Sequence, residues 1–145
     1  MQKLMCFLFI MVFICNAKIY EDIKNGFSIN IPKDWQLIES KNENVILKCA
    51  TLSKLQLNAN FNVTKSKIPE TLSLDDFYHS ITEAQERMFP KYKPSIPQKI
   101  TINGLQAIRF TASYAMGAKD ILSELIFFKA GENGYLLTFT YDIGD

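Results

Sequence analysis

The stretch ITINGLQAIRF, residues 100–110, predicts a β-hairpin. Apolar and polar residues alternate on both sides of Asn103-Gly104, a dipeptide that accepts the positive backbone angles of a tight type I′ turn. The alternation continues to Met116, which indicates a long second strand with one buried face. This hairpin therefore places antiparallel sheet in the second half of the chain.

Two further strands are predicted after the hairpin. Residues 121–128 form a dense apolar run, as expected for a central strand that is covered on both faces. Residues 135–143 alternate again, with apolar side chains at the odd positions. Gly-Glu-Asn-Gly at 131–134 is a hairpin signal between them, so the second half predicts a four-strand antiparallel meander.

Shorter strand signals precede the meander. Residues 27–31 alternate and are followed by Pro32, which ends a strand. Residues 55–63 alternate over nine positions, and their Asn-rich face is expected to be solvated. Cys49 lies in an apolar strand-like run and is expected to be a buried small hydrophobe rather than a reactive thiol.

One helix is predicted between the two groups of strands. Ser73 and Asp76 have the spacing of a capping box, which marks a helix N-terminus. Apolar residues recur at spacings of three and four until Pro90. The stripe consists of Leu74, Phe77, Ile81, Ala84 and Met88. Strands and one amphipathic helix predict an α+β domain in which the helix covers one face of an antiparallel sheet.

Residues 1–17 have the three-part pattern of a secretory signal peptide. Lys3 precedes an apolar run of 12 residues, and small side chains stand at Cys15 and Ala17. The run is shorter than the roughly 20 residues of a membrane span. We expect cleavage after Ala17, with an uncleaved anchor or lipidation at Cys15 as the minor alternatives, since bulky Ile14 precedes that cysteine. The mature domain, residues 18–145, is then exported to the periplasm or secreted.

Composition excludes several protein classes. The chain is 48% hydrophobic and 21% charged, which argues against intrinsic disorder. Loss of Lys3 leaves 15 basic and 15 acidic residues, a formal charge of zero, and therefore no broad positive surface for nucleic acid. Cys49 is the one cysteine beyond the predicted cleavage point, so the exported domain has no partner for an internal disulfide.

A search for catalytic chemistry yields weak candidates. His79 is the one histidine, and Asp75 and Glu83 stand four residues to either side, on the same side of the helix. The three could form a surface metal site or an acid/base pair, but a solvated helix face explains them as well. Zinc-ligand spacing, phosphate-binding loops, calcium loops and nucleophile elbows are missing from the sequence. The sequence therefore predicts a protein that is not an enzyme and has no cofactor.

Two further groups are candidates for binding. A proline-punctuated connection carries the three lysines Lys91, Lys93 and Lys99. They could meet an anionic surface, although a solvated loop is the favoured interpretation. The meander carries Tyr114, Tyr135 and Tyr141. These could line a pocket, but their period-two placement favours core packing.

The order of these elements resembles the PsbP-like superfamily, including its bacterial exported, DcrB-like members. The resemblance is carried by GFSINIPKDW at 26–35, TLSLDDF at 71–77, ITINGLQA at 100–107 and GYLLTFT at 134–140. It implies an α/β/α sandwich around an antiparallel sheet. The group includes photosystem II extrinsic subunits, exported bacterial proteins of unknown role and a nuclear Ran-binding protein, so the resemblance implies a fold and not a function.

The resemblance also implies a C-terminal helix, and the sequence ends at Asp145 without one. We expect either a truncated end or an incompletely covered sheet face with an apolar patch, so that residues 18–145 self-associate or bind a hydrophobic dye. The leading functional hypothesis is a non-catalytic exported protein that binds or helps assemble an envelope or secreted protein. The alternative is a small-molecule or metal-ion binding module in the sheet–helix crevice or beside His79, with a hydrolase the least favoured.

Overall fold

The computed structural model describes residues 6–8, 17–51 and 59–143. Most of the predicted signal segment and the first part of the predicted strand at 55–63 lie outside these residues. The helix is α1 (Leu74–Met88). The strands are β1 (Cys6–Leu8), β2 (Ala17–Asp22), β3 (Phe27–Pro32), β4 (Trp35–Leu37), β5 (Val45–Thr51), β6 (Ala59–Lys67), β7 (Lys93–Pro94), β8 (Gln98–Ile102), β9 (Leu105–Met116), β10 (Lys119–Ala130) and β11 (Asn133–Asp142).

Eight strands form one antiparallel sheet. Its order is β4-β5-β6-β11-β10-β9-β7, and β8 also pairs with β9. The predicted hairpin joins β8 to β9, where Asn103 and Gly104 have φ angles of 48° and 81°, both positive as a type I′ turn requires. Strands β8 to β11 follow one another as the predicted four-strand meander, which is confirmed.

The turn between β10 and β11 is shorter than the sequence predicts. Ala130 pairs with Asn133, so Gly131 and Glu132 alone make the turn. Gly134 belongs to β11 instead, and a Cβ there would lie 2.8 Å from Cε2 of Phe127. The assignment of Gly134 to the turn is therefore wrong, because this glycine makes room for a core aromatic ring.

Helix α1 begins as the sequence predicts. The Ser73 hydroxyl accepts a hydrogen bond from the Asp76 backbone N–H at 3.0 Å, and the Asp76 carboxylate accepts one from the Ser73 N–H at 3.3 Å. The Ser73 hydroxyl also donates to the Asp76 carboxylate at 2.6 Å, and this hydrogen bond, together with that from the Ser73 N–H, holds the pKa of Asp76 below its ordinary value. The capping box is confirmed.

The buried stripe of α1 departs from the prediction in its second half. Leu74 and Ile81 pack on the sheet, but Ala84 and Met88 are exposed, Met88 by 69%. At 100° per residue, Ala84 lies about 80° around the axis from Leu74, while Gln85 lies about 20° from it. The Oε1 atom of Gln85 is accordingly buried. The prediction for Ala84 is wrong because Gln85 takes the inward position. It is also wrong for Met88, which lies about 40° from Leu74 but is the last residue of the helix and is exposed there.

The helix and the sheet enclose one apolar cluster. Phe77 stacks on Phe127 of β10, and the Tyr78 hydroxyl donates to the carbonyl oxygen of Ser95 at 2.9 Å. The buried members of the cluster are Tyr92, Ile108, Phe110, Ala112 and Leu125. The helix therefore covers the β9–β10 region of one sheet face.

The opposite face is covered by a smaller sheet of order β1-β3-β2, in which β1 runs parallel to β3. Ile29 and Ile31 of β3 point into a second core. Its other buried members are Leu47, Cys49, Phe61, Val63, Ala107, Ile126, Phe128, Tyr135 and Leu137. Burial raises the pKa of the Cys49 thiol to about 11, and the expectation that this cysteine is buried is confirmed. The α+β prediction is confirmed, with one helix among the described residues.

Candidate functional site

The three residues of the predicted metal site are exposed side chains of α1. Asp75 Oδ2 accepts a hydrogen bond from Lys99 Nζ at 2.8 Å, and Glu83 Oε2 pairs with Arg87 at 3.3 Å. Both carboxylates therefore pair with cations, while the nearest aromatic neighbour of His79 is Tyr78. In the part of the chain that the structure describes, no group of three His, Cys, Asp or Glu residues is arranged to hold a metal ion.

The three predicted binding lysines are exposed but do not share one surface. Lys91 follows α1 with a φ of 58°, and Lys93 pairs with Ser113 of β9. Lys99 pairs with Ile108 of the same strand. The two pairing positions are five residue steps apart on β9, which is roughly 17 Å along the strand. The three lysines are therefore too far apart to form one binding site for an anionic surface.

The three tyrosines also occupy different places. Tyr114 lies on the helix side, stacked on Phe89 with ring centroids 4.4 Å apart, and its hydroxyl is 3.0 Å from the Ser123 hydroxyl. Tyr135 is in the core of the opposite face, and Tyr141 is 37% exposed. Core packing therefore accounts for Tyr114 and Tyr135 but not for Tyr141.

An apolar cavity lies between the β2–β3 hairpin and the end of the large sheet where β8 and β9 meet. Its volume is about 210 Å³. The apolar lining consists of Phe27, Ile29, Val63, Ile102, Leu105, Phe128, Ala130, Tyr135 and Leu137, with Asn25 and Gly26 at the turn of the hairpin. The cavity is on the face opposite α1, whereas the sequence suggested the sheet–helix crevice.

A lysine stands at the rim of this cavity. Lys65 Nζ donates to Asn25 Oδ1 at 3.1 Å and lies 5.7 Å from the centroid of the Tyr135 ring. Asn25 is itself fixed by Asp22, whose two carboxylate oxygens accept from its backbone N–H and its amide, each at 2.8 Å. The cavity, which we call the hairpin cavity, is thus apolar inside with an ammonium group at its edge.

The far end of the same sheet face carries an exposed apolar surface. Leu122 of β10 lies directly opposite Tyr141 of β11, and Ile143 follows two residues later on the same side. Ile143 is 51% exposed, and its N–H donates to the Asp120 carbonyl oxygen at 2.9 Å. None of the three is in the core beneath the β2–β3 hairpin. We call Leu122, Tyr141 and Ile143 the open-end patch.

Comparison with known proteins identifies the fold. Cyanobacterial PsbP (CyanoP) from Synechocystis superposes with a TM-score of 0.61 at 17% identity, over 93% of this chain and 84% of that one. The Ran-binding protein Mog1p of Saccharomyces cerevisiae superposes with a TM-score of 0.68 at 7% identity, over 89% of this chain and 78% of that one. The chain has the PsbP and Mog1p fold. LpqN of Mycobacterium tuberculosis, which is involved in cell envelope biogenesis, superposes with a TM-score of 0.53 at 14% identity, over 79% of this chain and 69% of that one.

The PsbP and Mog1p fold confirms the architecture that the sequence resemblance implies. No protein-family model matches the chain, and no curated protein matches it either. At sequence identities this low, the similarity establishes a shared fold, and the functions of the three proteins do not carry over to this chain. Within residues 6–8, 17–51 and 59–143, no helix has the length and apolar character needed to cross a membrane.

Proposed function

We propose that this protein is exported and acts without catalysis, by binding another protein on the extracytoplasmic side of the membrane through the open-end patch. The observation that carries the proposal is the exposure of Tyr141 and Ile143 beside Leu122, beyond the part of the sheet face that packs under the β2–β3 hairpin. Contiguous exposed apolar side chains are common where soluble proteins meet partners. The fold of the envelope protein LpqN and of the Ran-binding protein Mog1p supports an accessory role of this kind.

The patch has the composition of a binding anchor rather than of a complete obligate interface. Tyrosine is enriched among the residues that dominate binding energy. Tyr141 is 37% exposed and lies between the aliphatic side chains of Leu122 and Ile143. The Arg109–Glu124 ion pair, 2.6 Å long, lies on the same sheet face, with Glu124 two residues from Leu122 along β10, and supplies a polar rim. Three side chains cover much less than the roughly 800 Å² per partner of a standard interface. The partner must therefore also contact the surrounding strands, and we expect a reversible complex.

Export is tested by the N-terminus of the protein recovered from its native host. The proposal expects an extracytoplasmic protein that begins at Lys18. Cleavage after Ala17 removes β1 and the first residue of β2, so the small sheet of the exported protein is the β2–β3 hairpin. A protein that stays in the cytoplasm with Met1 intact would contradict export. A lipid-modified cysteine at the N-terminus would replace cleavage after Ala17 with lipidation at Cys15.

Binding is tested by affinity purification from extracytoplasmic fractions, with quantitative comparison of variants. We expect the double variant Tyr141→Asp, Ile143→Asp to lose the specific partner by at least tenfold. Ile96→Asp is the matched control, because Ile96 is also apolar and is 87% exposed in a loop on the helix side. Equal recovery of every protein by all three forms would contradict the proposal, as would equal loss with Ile96→Asp.

A further inference from the structure

We propose that the hairpin cavity binds a small amphipathic monocarboxylate, with its apolar body among the lining side chains and its carboxylate on Lys65. The inference joins three observations: an apolar interior of about 210 Å³, an ammonium group on β6 at the rim, and a hairpin turn, Asn25-Gly26, that lines the cavity and accepts a hydrogen bond from that ammonium group. It goes beyond protein binding, because the cavity and the open-end patch lie at opposite ends of the sheet face.

The volume of the cavity limits the size of the ligand. A dry cavity of about 150 Å³ accommodates benzene, and sites for drug-sized molecules occupy roughly 300–1,000 Å³. The hairpin cavity, at about 210 Å³, lies between these sizes. It therefore fits an apolar body of about eight to ten carbon atoms, such as a medium-chain acyl group or a phenylalkyl group.

The lining defines the chemistry of the ligand body. Phe27, Phe128 and Tyr135 supply aromatic walls, and aliphatic side chains from β3, β6, β8, β9, β10 and β11 supply the rest of the apolar lining. Phe128 and Tyr135 are stacked on each other, with ring planes within 10° and centroids 5.2 Å apart. A surface of this kind offers dispersion contacts and few hydrogen bonds, so affinity should rise by about fourfold for each methylene group until the cavity is full.

The rim defines the charge of the ligand. An ammonium group has three N–H donors, of which one is given to Asn25 Oδ1. Among the described residues, the ion pairs do not include Lys65. Asp22, the nearest acid to this turn, accepts two hydrogen bonds from Asn25. A carboxylate at the mouth would therefore give Lys65 an anionic partner at the edge of an apolar site.

The test is isothermal titration calorimetry of the purified protein with three ligands that share one chain: octanoate, 1-octanol and octylamine. We expect octanoate to bind at least tenfold more tightly than octylamine, with 1-octanol in between. Absence of octanoate binding, or equal affinity for octanoate and octylamine, would overturn the proposal. This comparison uses the wild-type protein and needs no variant.

Variants then locate the site. Lys65→Met should lower the affinity for octanoate by at least fivefold and leave that for 1-octanol unchanged. Lys67→Met is the matched control, because Lys67 is exposed two residues further along the same side of β6. Leu105→Trp should fill the cavity and abolish binding of all three ligands, with thermal melting to confirm folding. Equal losses for Lys65→Met and Lys67→Met would overturn the proposal, as would undiminished binding by a folded Leu105→Trp protein.

Discussion

Phe77 of α1 stacks on Phe127 of β10, with ring centroids 3.4 Å apart and ring planes within 9° of each other. This pair attaches the helix to the centre of the sheet, since β10 lies between β9 and β11. The Phe127 ring that Phe77 contacts is itself buried, with 1% of its surface exposed. The contact is thus a principal support for the position of α1.

Loss of the Phe77 ring should destabilise the whole fold. We expect Phe77→Ala to lower the free energy of unfolding by about 3 kcal/mol, because the Phe127 ring loses its neighbour and a cavity remains. Met88→Ala on the same helix should change it by less than about 0.5 kcal/mol, because Met88 is exposed. Urea denaturation followed by circular dichroism measures both. Equal effects would mean that the helix is not anchored through Phe77.

Gly134 should be intolerant of a side chain. A methyl group at this position would lie 2.8 Å from Phe127 Cε2 and 3.1 Å from two carbon atoms of Ile68. We expect Gly134→Ala to destabilise the protein by about 1–3 kcal/mol through overpacking. Gly131→Asn is the control, because that turn position has a φ of 61° with open space around it, and asparagine tolerates such angles. Thermal melting would contradict the account if Gly131→Asn were the more damaging change.

Stability should fall in alkaline solution. Burial raises the pKa of Cys49 to about 11 and that of Tyr92 to about 12, from ordinary values of 9.0 and 10.0. Between these values each group is ionised in the unfolded chain and neutral in the folded one, so unfolding releases a proton. Below about pH 9, therefore, these two groups should not make the free energy of unfolding depend on pH. Above that pH, the free energy of unfolding should fall by up to about 1.4 kcal/mol per pH unit for each group.

Variants assign the alkaline decline. We expect Cys49→Ala to remove the part between pH 9 and 11, and Tyr92→Phe the part between pH 10 and 12. Each is measured by urea denaturation at intervals of half a pH unit and compared with its own stability at pH 8. An unchanged slope in either variant would contradict the assignment for that residue.

Two tyrosines of the helix-side core should respond differently to loss of the hydroxyl at neutral pH. The Tyr78 hydroxyl donates to Ser95 at 2.9 Å, so Tyr78→Phe should cost about 1 kcal/mol. The Tyr92 hydroxyl is buried, and no described residue is its hydrogen-bond partner. Tyr92→Phe should therefore be neutral or stabilising by up to about 1 kcal/mol. A loss of more than about 1 kcal/mol for Tyr92→Phe would reveal a partner for that hydroxyl.

Local signals in the sequence predict much of this fold. Ser73 caps the helix, Asn103-Gly104 turns the first meander hairpin, and alternation marks the long strands, because each signal depends on neighbours within a few residues. Strands β1 and β7 were not predicted, because they fall in the predicted signal segment and in the predicted loop. Strands β2 and β4 were not predicted either. They are short and show little alternation in burial, and β4 gains its pairing from β5.

The candidate sites depend on contacts that local pattern does not contain. Lys65 reaches Asn25 across 40 residues of sequence, and the cavity exists because the β2–β3 hairpin folds over the sheet. Lys65 lies on the same face of β6 as the buried Phe61 and Val63. A lysine on an otherwise apolar strand face is the sequence feature that could have indicated a polar rim. Tyr141 has the same period-two position in β11 as the buried Tyr135 and Leu137. It is exposed because the β2–β3 hairpin does not extend over the sheet as far as Tyr141.

The central claim is that the open-end patch binds a different protein outside the cytoplasm. The most direct measurement is photocrosslinking in the native host with benzoylphenylalanine at Tyr141, and at His79 as an exposed control on the helix. The account predicts an adduct with one extracytoplasmic protein from position 141 and none from position 79. The same adducts from both positions, no adduct from position 141, or an adduct of two copies of this chain alone would contradict it.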